Sequence, residues 1–124
     1  MARSGPDSGF NCFQNLHPTA TEQKIYCGPP NTGSSGDAFA TISLLPLTNG
    51  HGGVLILQGL QQEGTQAAGL MLADAKGREQ LQQALGISGA STQPVYFEAL
   101  IRTKSMDGVP MATPTIVATR LYHP

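Results

Sequence analysis

The sequence predicts a single α/β domain, one mixed β-sheet of about five strands with two helices packed on it. Three observations carry this. Val54-Leu-Ile-Leu57 is a continuous apolar run that ends at Gly59 and leads into a small-residue helix, Gly64 to Asp74. A second helical stretch, Asp74 to Leu85, stops at Gly86, which suits a left-handed cap. Val95, Phe97, Ala99 and Ile101 alternate with Tyr96, Glu98, Leu100 and Arg102, and Thr115 to Leu121 resumes strand character. A length of 124 residues suits one domain with its own core.

Residues 1–12 are rich in Gly, Ser, Pro and Asp and read as a flexible tail, with the domain proper spanning 13–124. Phe13 to Pro18 reads as a turn. Lys24 to Gly28 is a short strand stopped by Gly28-Pro29-Pro30, and Asn31 to Gly36 is a loop by composition. Asp37 to Leu47 alternates weakly, as a strand does. Pro46 ends its pairing, and the glycine-rich Thr48 to Gly53 reverses the chain into an antiparallel hairpin with Val54 to Gln58. Because both alternate faces of Val54 to Leu57 are apolar, that strand is expected in the middle of the sheet.

The first helix is expected from Gly64 or Thr65 to Asp74, with Ala68, Met71, Leu72 and Ala75 facing the core. Ala67, Ala68 and Gly69 keep its near side thin, so it can lie close to the sheet. The second helix places Leu81, Ala84 and Leu85 on one side, and Gly77 within it costs about 1 kcal/mol relative to alanine. Ile87 to Gln93 is a polar loop. A two-residue turn at Asp107-Gly108 would set Met106 opposite Val109, Ala99 opposite Ile116 and Phe97 opposite Ala118. Pro110 and Pro114 push the final strand toward an edge. The order is β-β-β-α-α-β-β, a Rossmann-like three-layer or two-layer sandwich fragment, with a right-handed crossover after the first helix if the next paired strand is parallel.

Seven basic and eight acidic residues, spread without runs, leave a net charge of −1. No electrostatic footprint for nucleic acid or an anionic membrane is present. Only 12% of residues are charged, against roughly 25% in average domains, and so sparse a charge suits burial against a partner. No apolar run reaches the roughly 20 residues of a membrane span, and the first nine residues lack the apolar core of a signal peptide. The chain is therefore expected to be soluble, with its compartment undetermined. Cys12 and Cys27 lack zinc-site spacing; they can form a disulfide, but free thiols are the expectation.

The strand-turn-helix at Gly59-Leu-Gln-Gln-Glu-Gly64-Thr65 is the candidate binding site, because a helix start offers free backbone N–H groups to an anion. It has the glycine spacing of a phosphate-binding loop, but Thr65 stands where the phosphate-reaching lysine is required, and Glu63 adds negative charge. ATP or GTP hydrolysis of that type is thereby disfavoured. A small polar or anionic ligand remains, held by Gly59, Gln62, Gly64, Thr65 and Gln66, with Gln61 nearby. A plain structural turn is the competing reading.

Elsewhere no cofactor motif, metal site or catalytic constellation emerges. His17, His51 and His123 are more than thirty residues apart and lack local support for a metal. Gly33-Ser-Ser-Gly36 lacks the nucleophile-elbow pattern. Glu98 and Arg102 share a strand face and read as an ion pair rather than an acid and base. Asp37 suits a turn-stabilising role.

Phe13-Gln-Asn-Leu-His-Pro18, Asp37-Ala-Phe-Ala40, Val54-Leu-Ile-Leu-Gln-Gly-Leu60, Gly64-Thr-Gln-Ala-Ala-Gly69, Leu72-Ala-Asp74 and Tyr96-Phe-Glu-Ala-Leu-Ile-Arg-Thr103 give a further lead. Over about Phe13 to Tyr122 the chain resembles the C-terminal region of a group of uncharacterised acidobacterial proteins. In that group the region follows another strand-turn-helix half, and some members carry a winged-helix or membrane-spanning segment upstream. The resemblance implies a fragment of a larger regulatory or sensor-like bacterial protein and brings no catalytic residue. The expected function is a non-catalytic regulatory or ligand-sensing domain. Two alternatives are part of a hydrolase or transferase acting on a nucleotide-like or glycosyl substrate, and a structural interaction domain. A homodimer through the edge strand Thr115 to Leu121, or contact with an upstream domain, is expected from the sparse charge.

Overall fold

A computed structural model describes residues 2–4, 12–27, 36–47, 52–60, 62–86, 95–106, 109–110 and 114–122. The strands are β1 (Ala2–Ser4), β2 (Cys12–Gln14), β3 (Ile25–Cys27), β4 (Gly36–Pro46), β5 (Gly53–Gly59), β6 (Tyr96–Met106), β7 (Val109–Pro110) and β8 (Thr115–Tyr122). The helices, α1 (Gln62–Ala73) and α2 (Ala75–Leu85), fall between β5 and β6. The mixed α/β composition is as expected. The single sheet is not: the strands form a three-stranded sheet, β1-β2-β3, and a five-stranded sheet in which β4 lies between β5 and β6 while β7 and β8 pair along the far side of β6.

Every pairing among the described strands is antiparallel, so the sheet is not mixed and lacks the parallel neighbours of a Rossmann-like arrangement. Since β5 and β6 both run antiparallel to β4, they are parallel to each other with β4 inserted between them. The two helices thus make a crossover that skips one strand.

The five-stranded sheet is covered on both sides. One face gives Ala40, Ile42, Phe97, Ala99 and Ile101 to a core closed by Ala67, Ala68 and Met71 of α1 and Leu81 and Leu85 of α2. The opposite face gives Phe39, Leu100 and Ala118 to a second cluster with Phe13 of β2, Tyr26 of β3 and Leu60. Tyr26 and Phe39 rings lie 5.5 Å apart at 57°, a tilted packing that aromatic quadrupoles favour. Burying Phe13 is worth about 1.5–3 kcal/mol, which is how a sheet of three-residue strands is held in place. The stretch read as a tail therefore includes strand β1 and the buried Cys12.

Cys12 and Cys27, expected as free thiols, are directly opposite each other in β2 and β3 and form a disulfide. Spacing alone cannot show this pairing; it follows from the antiparallel register that brings the two Cα atoms within 4.2 Å.

The helices begin and end for local reasons. α1 starts two residues earlier than expected, at Gln62. Asp74 caps α2, its side chain accepting from the Lys76 N–H, and Gly86 closes it in the left-handed conformation at φ 71°. Leu81 and Leu85 are buried as expected, whereas Ala75 and Ala84 are exposed. Gly77 is buried where a Cβ would fall 2.2 Å from the Met71 carbonyl oxygen, so its helix-propensity cost permits the tight α1–α2 junction.

The C-terminal hairpin keeps only part of its expected register. Met106 is opposite Val109, with the Asp107-Gly108 turn itself outside the described residues. Further along the register has moved by two residues, with Ile101 opposite Ile116, and a bulge between Leu100 and Ile101 adds one more, so that Ala99 is opposite Thr119 and Phe97 opposite Leu121. The bulge turns Ala118 toward the three-stranded sheet.

Candidate functional site

At the start of α1, where a ligand site is expected, Gly64 and Thr65 are engaged with the rest of the chain. Gly64 packs so closely on β4 that a Cβ there would sit 2.4 Å from the Phe39 carbonyl oxygen. The Thr65 hydroxyl accepts a hydrogen bond from the Gly59 N–H at 2.9 Å. Gly59 and Thr65 are thus brought together, as a clasp between β5 and α1. Gln66 points to solvent, the Gln62 side chain and Gln61 lie outside the described residues, and Glu63 is buried with its Oε2 unpartnered among them.

A second cluster lies where the 15–24 segment crosses β8. Asn15 N–H donates to the Lys24 carbonyl at 2.8 Å, closing the segment. Glu22 organises it from within, accepting from Asn15 Nδ2 at 2.9 Å and from the Thr19 N–H at 3.2 Å. Arg120 of β8 donates to both Glu22 carboxylate oxygens and to the carbonyls of His17 (3.0 Å) and Thr119 (2.7 Å). The bond to Arg120 is the main reason that the Glu22 carboxyl is lowered from 4.5 to about 2, and Glu22 in turn raises the Arg120 guanidinium. Glu98 of β6 is directly opposite Arg120 of β8. Two clefts adjoin the cluster, one of about 170 Å³ beside Asn15 and His17 and one of about 360 Å³ between Thr19 and β8, the second at the lower end of the usual ligand-pocket size. Arg120 spends its donors on the fold, so the cluster reads as a fastener between the two sheets.

The third place is β5. The sequence predicts this strand in the middle of the sheet, but among the described residues it pairs only with β4 and lies at the edge. Val54, Leu55 and Ile56 are consequently 42%, 53% and 41% exposed. At the two ends of the hairpin, Leu47 N–H donates to the Gly52 carbonyl and Leu60 N–H to the Phe39 carbonyl. By antiparallel alternation the even residues Val54, Ile56 and Gln58 bond β4, and the backbone groups of Gly53, Leu55, Leu57 and Gly59 face outward. The Thr65 clasp takes the outward Gly59 N–H. Among the described residues, the groups at Gly53, Leu55 and Leu57 form an open template.

β8, the edge expected from sequence, is also at an edge but is interrupted by the bulge and fastened through Arg120. Natural sheets blunt edges by such bulges and by charged residues. β5 carries neither, and Gly52 to Gln58 contains no charge. No protein-family model, curated protein or solved structure matches the chain, so its geometry carries the functional reading. His51, His123 and the serines of the 33–36 loop lie outside the described residues.

Proposed function

We propose that this chain is a non-catalytic interaction domain that recruits an extended segment by strand addition along β5. The observation that carries this reading is an uncharged apolar edge whose backbone groups at Gly53, Leu55 and Leu57 face away from the sheet. Strand addition draws affinity from main-chain hydrogen bonds and selectivity from alternate side chains. Here Leu55 and Leu57 stand on the helix side and Val54 and Ile56 on the other, and together they favour an uncharged, β-branched or aliphatic strand. The packed start of α1 favours this over ligand sensing at Gly59 to Gln66. A regulatory role within a larger bacterial protein fits the resemblance. The disulfide points to an oxidising compartment.

Titrating the dilute chain with an eight-residue alternating valine–threonine peptide, followed by amide NMR shifts, tests this. Shifts are expected along Gly53 to Gly59 and its neighbour β4. Shifts confined to Gly64 to Gln66, or to Asn15, His17 and Arg120, would contradict it.

A further inference from the structure

We infer that the segment that pairs with β5 is β5 of a second copy, with Leu55 facing Leu55 of the second copy across a two-fold axis. This rests on the strand-addition reading above and names its partner. Three features of the edge select the arrangement.

First, the outward backbone groups lie at Gly53, Leu55 and Leu57, and the Gly59 N–H is withdrawn by Thr65. An antiparallel ladder centred on Leu55 uses that set and no more: Leu55 pairs with Leu55, and Gly53 with Leu57, in both directions. Centring the ladder on Ile56 would instead oppose Gly53 to Gly59, whose donor is taken. Second, the side chains are symmetric about Leu55. Directly opposed residues share a face, so Val54 meets Ile56 of the second copy on one side while the two Leu55 side chains meet on the other. Third, no charged residue stands between Gly52 and Gln58, so the two-fold opposes no like charges. An exposed aliphatic edge with these properties templates its own copy. The product is a ten-stranded sheet continuous across the axis, built from two five-stranded sheets.

Charge placed at the axis tests both the partner and the register. Leu55 is exposed, so Leu55→Lys and Leu55→Glu are expected to retain the parent circular dichroism. By light scattering the parent chain is expected at twice its 13.0 kDa mass, and each variant alone at 13.0 kDa, because like charges then face each other at the axis. An equimolar mixture of the two is expected to recover the doubled mass. A parent that stays at the single mass up to hundreds of micromolar, or variants that stay dimeric, would overturn the inference. Variants that are monomeric alone and remain so when mixed would overturn the Leu55 register. If the parent is monomeric while the valine–threonine peptide still perturbs β5, the second-copy partner fails and strand addition stands. If the peptide has no effect there either, both fail.

Discussion

Gly59 and Thr65 are tied by a 2.9 Å hydrogen bond from the strand N–H to the helix hydroxyl, and that bond sets where the free edge of β5 ends and α1 takes over. The same turn leaves no side-chain room at Gly64, whose missing Cβ is replaced by the Phe39 carbonyl oxygen. The glycine of that turn serves a close helix-on-strand contact.

Gly64→Ala is expected to destabilise the chain by about 1–3 kcal/mol, the cost of forcing an added carbon into a packed contact. Urea denaturation measures it. A loss below about 0.5 kcal/mol, the range of surface substitutions, would mean that α1 can move off β4.

Reducing the Cys12–Cys27 bond releases a closure of sequence separation 15, for which chain-entropy reasoning gives about 3 kcal/mol. Guanidinium denaturation with and without reductant is expected to show a loss of that order, accompanied by faster amide exchange at Phe13 and Tyr26. An unchanged midpoint would show that the Phe13–Tyr26–Phe39 packing holds the small sheet without the bond.

Acid is expected to weaken the fastener between the sheets. Glu22 is held at about 2 in the folded chain, chiefly by Arg120, against an ordinary 4.5. Its contribution is therefore full above about 4.5 and is lost as pH falls toward 2. Arg120 is 36% exposed, so solvent screening reduces the contribution to about 1 kcal/mol. Arg120→Met is expected to flatten the dependence of stability on pH in that window. An unchanged slope would locate the acid sensitivity elsewhere.

Glu63 is 2% exposed and its Oε2 has no partner among the described residues. Desolvating such a group costs about 1–3 kcal/mol, partly offset by about 0.3–1 kcal/mol from the helix N-terminus. Glu63→Met, similar in length and apolar, is expected to raise stability by about 1 kcal/mol. Thermal denaturation checks this, and a lowered midpoint would assign the carboxyl a structural partner.

Much of the secondary structure was legible because its signals are local. The alternation of Val95 to Arg102, the cap at Gly86 and the β4–β5 hairpin all depend on neighbours within a few residues. The place of β5 in its sheet was not legible, since an apolar run satisfies a buried centre and a self-pairing edge equally well. Spatial order decided between them: β4, with weaker alternation, pairs on both sides. The register of β8 differs because the chain shifts by two residues between Pro110 and Thr115 and a bulge adds one more, neither of which alternation announces. For the fastener, the sequence carries one local signal. Thr19-Ala-Thr-Glu22 has capping-box spacing, and Glu22 does reach back to the Thr19 N–H, but its partner Arg120 is too distant in sequence to be inferred.

Amide hydrogen exchange along β5 tests the role of its free edge most directly. Ile56, bonded to β4, is expected to exchange slowly at every concentration. Leu55 and Leu57 are expected to exchange slowly in the concentrated chain and to speed up on dilution, as an engaged edge is released. Leu55 and Leu57 amides that exchange without protection, both in the concentrated chain and with the valine–threonine peptide added, would contradict a docking role for β5.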